Sequence, residues 1–154
     1  MNHIDIAWCR DQRAKPLIAG GVILLASGVL HLGIYLCLQG TWEGAVSWRK
    51  PILFGISAGL TCISMGWVWS NLSKYRSDSF FSWATALALV VEVGLIDLQQ
   101  WRGVPSHFNR TTTLDSNIYN VMGILILGVT GVILILTVRS FTKKVTQPAP
   151  MVIA

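Results

Sequence analysis

The chain has 154 residues, of which 53% are hydrophobic and only 12% charged, and its 12 Lys and Arg against 7 Asp and Glu give a net charge of +5. Such a composition is too apolar for a soluble domain of this size and assigns the chain to the integral membrane class. Three cysteines imply no disulfide framework, and the positive charge is explained by contact with anionic inner-leaflet lipids, with no nucleic acid as partner.

Residues 1–16 mix Arg10, Arg13 and Lys15 with Ile4, Ile6, Ala7 and Trp8. They are predicted to be a cytoplasmic segment, able to lie along the membrane surface as a short amphipathic helix. Four apolar runs follow at 17–38, 51–72, 80–101 and 117–138. Each is long enough to cross the bilayer as a helix, which takes about 20 residues. Alternating segments of about 10 residues, which would build a barrel, are absent, and lipid leaves the helix as the other way to satisfy the backbone. The fold predicted is therefore all-α, one four-helix transmembrane bundle over 17–138 with a cytoplasmic tail at 139–154, where Pro148 and Pro150 interrupt any periodic apolar face and a mobile extension is expected. The first run is too long for a cleaved signal peptide and lacks a small-x-small cleavage pattern.

Basic residues set the orientation. Arg10, Arg13, Lys15, Lys74, Arg76, Arg139, Lys143 and Lys144 fall on one side, and Arg49, Lys50, Arg102 and Arg110 on the other. The positive-inside rule then places both termini in the cytoplasm, with the first group serving topology alone.

Small residues predict packing. Gly55, Gly59, Cys62, Gly66 and Ser70 form a ridge on the second span. Intrachain packing is expected there, with a homodimer through Gly55 and Gly59 as the alternative use. Gly20, Gly21, Ser27 and Gly28 on the first span, and Gly123, Gly128 and Gly131 on the fourth, are expected to pack within the bundle.

Two acids, Glu92 and Asp97, interrupt the third span, where a charge near the bilayer centre costs at least about 2.5 kcal/mol. Counted from the starts of their apolar runs, Glu92 and His31 lie at similar depth, so the two are expected to share a proton or a hydrogen bond, either as a clasp between helices or as a proton-coupling pair. Beyond Glu92 the third span turns polar through Gln99 and Gln100 and leads into "QQWRGVPSHFNRTTTLD", residues 99–115. The first loop brings Gln39, Trp42, Glu43 and "SWRKP", and the fourth span opens with Asn117 and Asn120, capped by Asp115 or Ser116. Trp42, Trp48 and Trp101 suit an interfacial belt. All this polarity is expected to converge at the outward mouth of the bundle.

The four outward cations either bind an anion or pair with Glu43, Glu92, Asp97 and Asp115. The leading expectation is an outward-facing site for a small anionic or lipid-headgroup ligand. Arg49 and Arg102 contact it through forked donors, Lys50 and Arg110 steer it, and Gln99, Asn109 and Asn120 orient it, with Asp97 and His107 in the same site and His31 and Glu92 coupling a proton, as in proton-coupled transport. The competing class is a membrane-embedded enzyme or a haem- or metal-binding redox protein that uses Glu92, Asp97, His31 and His107. A haem would need axial ligands such as His31 with His107, or either with Met122, and zinc or copper would draw on His107, Glu43 and Asp115. No HExxH, GxSxG, phosphate-loop or CxxCH signature is present. Ser106 beside His107 is weak as a nucleophile and base, because loop neighbours need not point together.

"WRKP" at 48–51 and the pattern Q-x-x-R-G-x-x-S-H-F-N at 99–109 resemble a family of small four-span integral membrane proteins of bacteria. The resemblance implies only that the two motifs belong together, with the bacterial inner membrane as the expected location. It implies no cofactor and no activity.

Overall fold

The computed structural model describes residues 7–142. A single 3-10 turn, Ala7–Arg10, precedes four helices: α1 Lys15–Leu38, α2 Arg49–Ser70, α3 Asp78–Trp101 and α4 Thr113–Thr142. No strand occurs among the described residues. All four helices are long and apolar enough to cross a membrane. Large apolar side chains such as Leu30, Ile124 and Leu127 point outward, as a lipid surrounding requires and water would penalise. In place of an N-terminal amphipathic helix the described part shows only the short turn, and residues 1–6 and the predicted tail beyond 142 lie outside the described residues.

Glycine sets the closest helix pair. A Cβ on Gly55 would sit 2.8 Å from the backbone N and Cα of Gly28, and one on Gly59 would sit 2.9 Å from the carbonyl of Gly21. The backbones of α1 and α2 therefore meet directly, with α1 lying along the Gly55/Gly59 ridge. Gly123, Gly128 and Gly131 depart from expectation, since a Cβ on any of them would meet nothing within 4 Å. The reason is that α4 packs on α3 and one part of α2 and does not reach α1. Its glycines have no facing ridge.

Both α2 and α3 touch the other three helices, and α3 carries most of the contact with α4. The register of α3 against α1 is constant along the bundle: Ser82 Oγ donates to the Arg13 carbonyl, Ser27 bonds Asp97 and His31 bonds Trp101, at separations of 69, 70 and 70 residues. Leu17, Leu24, Cys62, Met65, Trp69, Leu89 and Val93 fill the space between these helices.

One end of the bundle carries the α1–α2 and α3–α4 loops, here the loop end, and the other, the terminal end, carries the N-terminal segment and the α2–α3 loop. Charges at the terminal end do more than set topology, contrary to expectation. Arg13, 4% exposed, donates from Nη1 to the Leu72 carbonyl at 3.1 Å and to Asp78 Oδ2 at 3.2 Å, and Arg139 Nη1 donates to Asp78 Oδ1 at 2.8 Å. Buried Asp78 thus ties the N-terminal segment, the α2–α3 loop and α4 together. Asp11 joins through Arg13, whose hydrogen bond holds the Asp11 carboxyl below its ordinary range and in turn raises the Arg13 guanidinium.

Candidate functional site

At the loop end, α1 stops where Gln39 turns left-handed at φ 50° while its N–H still bonds the Tyr35 carbonyl at 2.8 Å. The chain closes a short loop through the bond from Trp48 N to the Thr41 carbonyl and enters α2 with Pro51 in the first turn, where a missing N–H costs nothing. Trp48 meets Trp101 edge-on at 5.3 Å, and Phe54 stacks on His107 at 5.5 Å. "WRKP" and the loop after α3 are therefore neighbours in space.

The α3–α4 loop folds back on the helix ends. Gly103 takes φ 67°, which a glycine tolerates, and Val104 N bonds the Gln99 carbonyl at 3.1 Å. Ser106 and Asn109 become buried. Asn109 Oδ1 accepts from Thr111 N at 3.2 Å and from Thr111 Oγ1 at 2.7 Å, an Asx turn, which leaves its Nδ2 buried without a partner among the described residues.

Asp115, 1% exposed, is the centre of the loop's polar contacts. It accepts from Gln99 Nε2 at 3.1 Å, Arg102 Nη1 at 2.7 Å, Thr112 Oγ1 at 2.7 Å and Thr111 Oγ1 at 3.2 Å. Thr112 Oγ1 also accepts from Asp115 N at 3.1 Å, so the cap of α4 is Thr112 rather than Asp115 or Ser116. The reciprocal Thr112–Asp115 pairing works as a capping box and starts the helix at Thr113. Arg102, which also bonds Gln99 Oε1, is an ion-pair partner of Asp115, the pairing that the sequence offered as the alternative to anion contact.

The expected pair of His31 and Glu92 is not formed. His31 Nε2 accepts from the Trp101 indole at 3.1 Å, and Nδ1 faces the Ser27 carbonyl at 2.9 Å and Ser27 Oγ at 3.3 Å. Ser27 Oγ donates to Asp97 Oδ2 at 2.8 Å, which lies 3.9 Å from His31 Nδ1. The acid beside His31 is therefore Asp97. Counting from the starts of the apolar runs misplaces α3 by more than a turn, because the register is set by close packing, with Gly20 against Ala86 and Val90. Glu92, 6% exposed, keeps Oε2 without a hydrogen-bond partner among the described residues, as does Asp97 at Oδ1.

The remaining cations stay free of acids. Lys50 Nζ donates to the Ala45 carbonyl at 2.5 Å, Arg110 bonds Asn120 Oδ1 at 3.3 Å and lies 5.1 Å over the Tyr119 ring, and Arg49 is exposed. None of the three forms an ion pair among the described residues, and neither does Glu43 in the first loop. Burial, with a smaller contribution from the Lys50 charge, lowers the His107 imidazole below its ordinary value.

Ser106 Oγ and His107 Nδ1 do approach, at 2.9 Å, but among the described residues no carboxylate orients the ring, which a nucleophile and base would need. Among the described residues no three of His, Cys, Asp and Glu gather as metal ligands. Both nitrogens of His31 are engaged, so axial ligation would have to break the bond to Trp101. Residues missed in the sequence are Ser27, Thr111, Thr112 and the Trp101 indole N–H. Ser27 had a legible signal, since it lies four residues before His31 on one helix face.

Comparison of the chain with protein-family models, with curated proteins and with solved structures finds no match.

Proposed function

We propose that this small integral membrane protein binds a small phosphate-type anion at its loop end, which faces outward from the bacterial inner membrane by the positive-inside rule, and that a proton is taken up from solution at the His31–Asp97 pair as the site fills. The observation that carries this is the fate of the four loop-end cations. Only Arg102 is neutralised by a carboxylate, while Arg49, Lys50 and Arg110 keep their charge available. Charge pairing within the chain therefore does not account for them. Arg49 and Arg110 offer forked donors that match a phosphate edge, Lys50 adds a point charge beside His107, and Asn109 Nδ2, 4% exposed, is a donor with no partner of its own. Asn120 steadies Arg110, and Arg102 with Gln99 positions the loop through Asp115.

The proton chemistry is supported by a continuous chain, Trp101 to His31 to Ser27 to Asp97. It connects the half-buried Asp97 carboxyl to the loop end.

Free phosphate and a lipid phosphate share the same recognition chemistry, and native mass spectrometry separates them. Protein released from nanodiscs with inorganic phosphate in the buffer should carry a phosphate adduct if the anion is free, and a phosphatidylglycerol adduct in nanodiscs of that lipid if it is a headgroup. The triple variant R49A/K50A/R110A should lose whichever adduct forms. Adducts unchanged in that variant, or no adduct in either arm, would refute the site.

A further inference from the structure

Four buried polar residues stand on α3 at intervals of seven: Asp78, Thr85, Glu92 and Gln99. That spacing returns to nearly the same helix face and advances about 10 Å each time, so the four make one column along the whole helix. Its ends are accounted for. Asp78 is held by Arg13 and Arg139, and Gln99 by Asp115 and Arg102. Its middle is not, because Thr85 Oγ1 and Glu92 Oε2 are buried with no hydrogen-bond partner among the described residues.

A structural role for Glu92 would require something for it to hold, and the neighbouring helices bring nothing of the kind. Since Asp115 of α4 bonds Gln99, the residue level with Glu92, seven positions deeper, is Met122. Since Trp48 meets Trp101, the level residue on α2, nine positions deeper, is Ser57, whose hydroxyl is turned to the Phe54 carbonyl. The constant register with α1 brings Val22 to this level. Among the described residues no hydrogen bond or ion pair joins Glu92 to the titratable groups His31 on α1, Cys62 on α2, Asp97 on α3 itself or Tyr119 on α4. An acid in the apolar interior with no partner marks a path for ions or protons more readily than a clasp. On the terminal side, a cleft of about 380 Å³ between α2 and α4 is lined mainly by apolar side chains such as Met65, Ile133 and Phe141, and the hydroxyls of Thr137 and Ser140 at its edge are bonded to the Ile133 and Leu136 carbonyls of their own helix.

We propose that Glu92 is a proton-carrying acid and that the column on α3 is a proton path between the two ends of the bundle. One proton is taken up on the carboxylate from the loop end and one is released toward the terminal end, with water bridging the steps and no net chemistry on the protein. The path does not depend on what the loop end binds.

The test uses the full chain in liposomes enclosing a pH-sensitive dye, with no phosphate present and a potassium diffusion potential set by valinomycin. Wild type should acidify the lumen at least tenfold faster than protein-free liposomes, E92D should retain part of the flux and E92Q should fall to the protein-free rate. Because Glu92 has no partner to lose, E92Q should fold. A second measurement needs no variant: dicyclohexylcarbodiimide adds to protonated carboxyls in apolar surroundings, and should give a single adduct on Glu92 and stop the flux. A wild-type rate equal to that of empty liposomes, an E92Q rate equal to wild type, or an adduct only at another carboxyl would overturn the proposal. Phosphate binding lost with the flux intact would strike only the anion site.

Discussion

The indole Nε1–H of Trp101 donates to Nε2 of His31 across 3.1 Å, joining the end of α3 to a residue 70 positions earlier on α1. Indole can only donate, so Nε2 presents its lone pair and the imidazole proton sits on Nδ1, directed at the Ser27 carbonyl. Trp101→Phe should keep the ring packing against Trp48 while stranding Nε2. A loss of about 1–3 kcal/mol is expected, together with a mixed tautomer at His31 in nitrogen NMR where wild type shows Nδ1–H alone. Identical spectra would mean that Trp101 does not set the tautomer.

Arg102 and Asp115 form the ion pair that closes the loop end. Arg102→Ala leaves a buried carboxylate short of its cation, and a cost of about 1.5–3 kcal/mol is expected. The double variant R102A/D115N should cost less than the two single changes combined, because no charge is then stranded. Unfolding in detergent mixtures provides the measurement, and strict additivity would show that the pair is not coupled.

Glycines on α2 and α4 should respond oppositely. Gly55→Leu forces a side chain into the backbone of Gly28, and overpacking of this kind costs about 1–3 kcal/mol. Gly128→Ala meets open space and should be neutral or stabilising by up to about 1 kcal/mol through helix propensity. Equal losses in thermal unfolding would contradict the pairing of α1 with α2.

Acidification should loosen the α3–α4 loop. His107 is held below its ordinary value of 6.5 by burial and then by Lys50, so the folded loop favours the neutral ring. The stability this contributes is present above 6.5 and is lost as the pH falls through the lower folded value. An NMR titration should place the wild-type His107 midpoint below that of an unfolded peptide, with Lys50→Gln moving it upward. Asp11 has the usual carboxylate sign: lowered by Arg13, it contributes above 3.8 and ceases to do so in stronger acid.

The four spans were legible because lipid demands an unbroken apolar run for each, and the helices begin and end close to those runs. Where α4 starts was not legible, since Thr112 and Asp115 cap the helix only once the loop has folded over them. Partners across helices were hidden for a different reason. Apolar length fixes depth to within a turn or two, whereas register follows from contacts such as Gly20 against Ala86, and this brings His31 to Asp97 and Trp101 instead of Glu92. Counting four cations against four acids likewise carried no geometry, and only Arg102 found an acid. Small residues predicted close packing for α2 but not for α4, because a glycine ridge is used only where a second ridge faces it.

Proton-linked anion binding at the loop end is measured most directly by calorimetric titration of inorganic phosphate into the nanodisc-embedded protein, at one pH in two buffers of different ionisation enthalpy. The expected result is saturable binding whose heat differs between the buffers, with the difference removed in Asp97→Asn while binding persists. Saturable heat that is the same in both buffers for wild type would contradict the proton linkage, and no saturable heat in phosphatidylcholine and phosphatidylglycerol nanodiscs alike would contradict the free-anion form of the site.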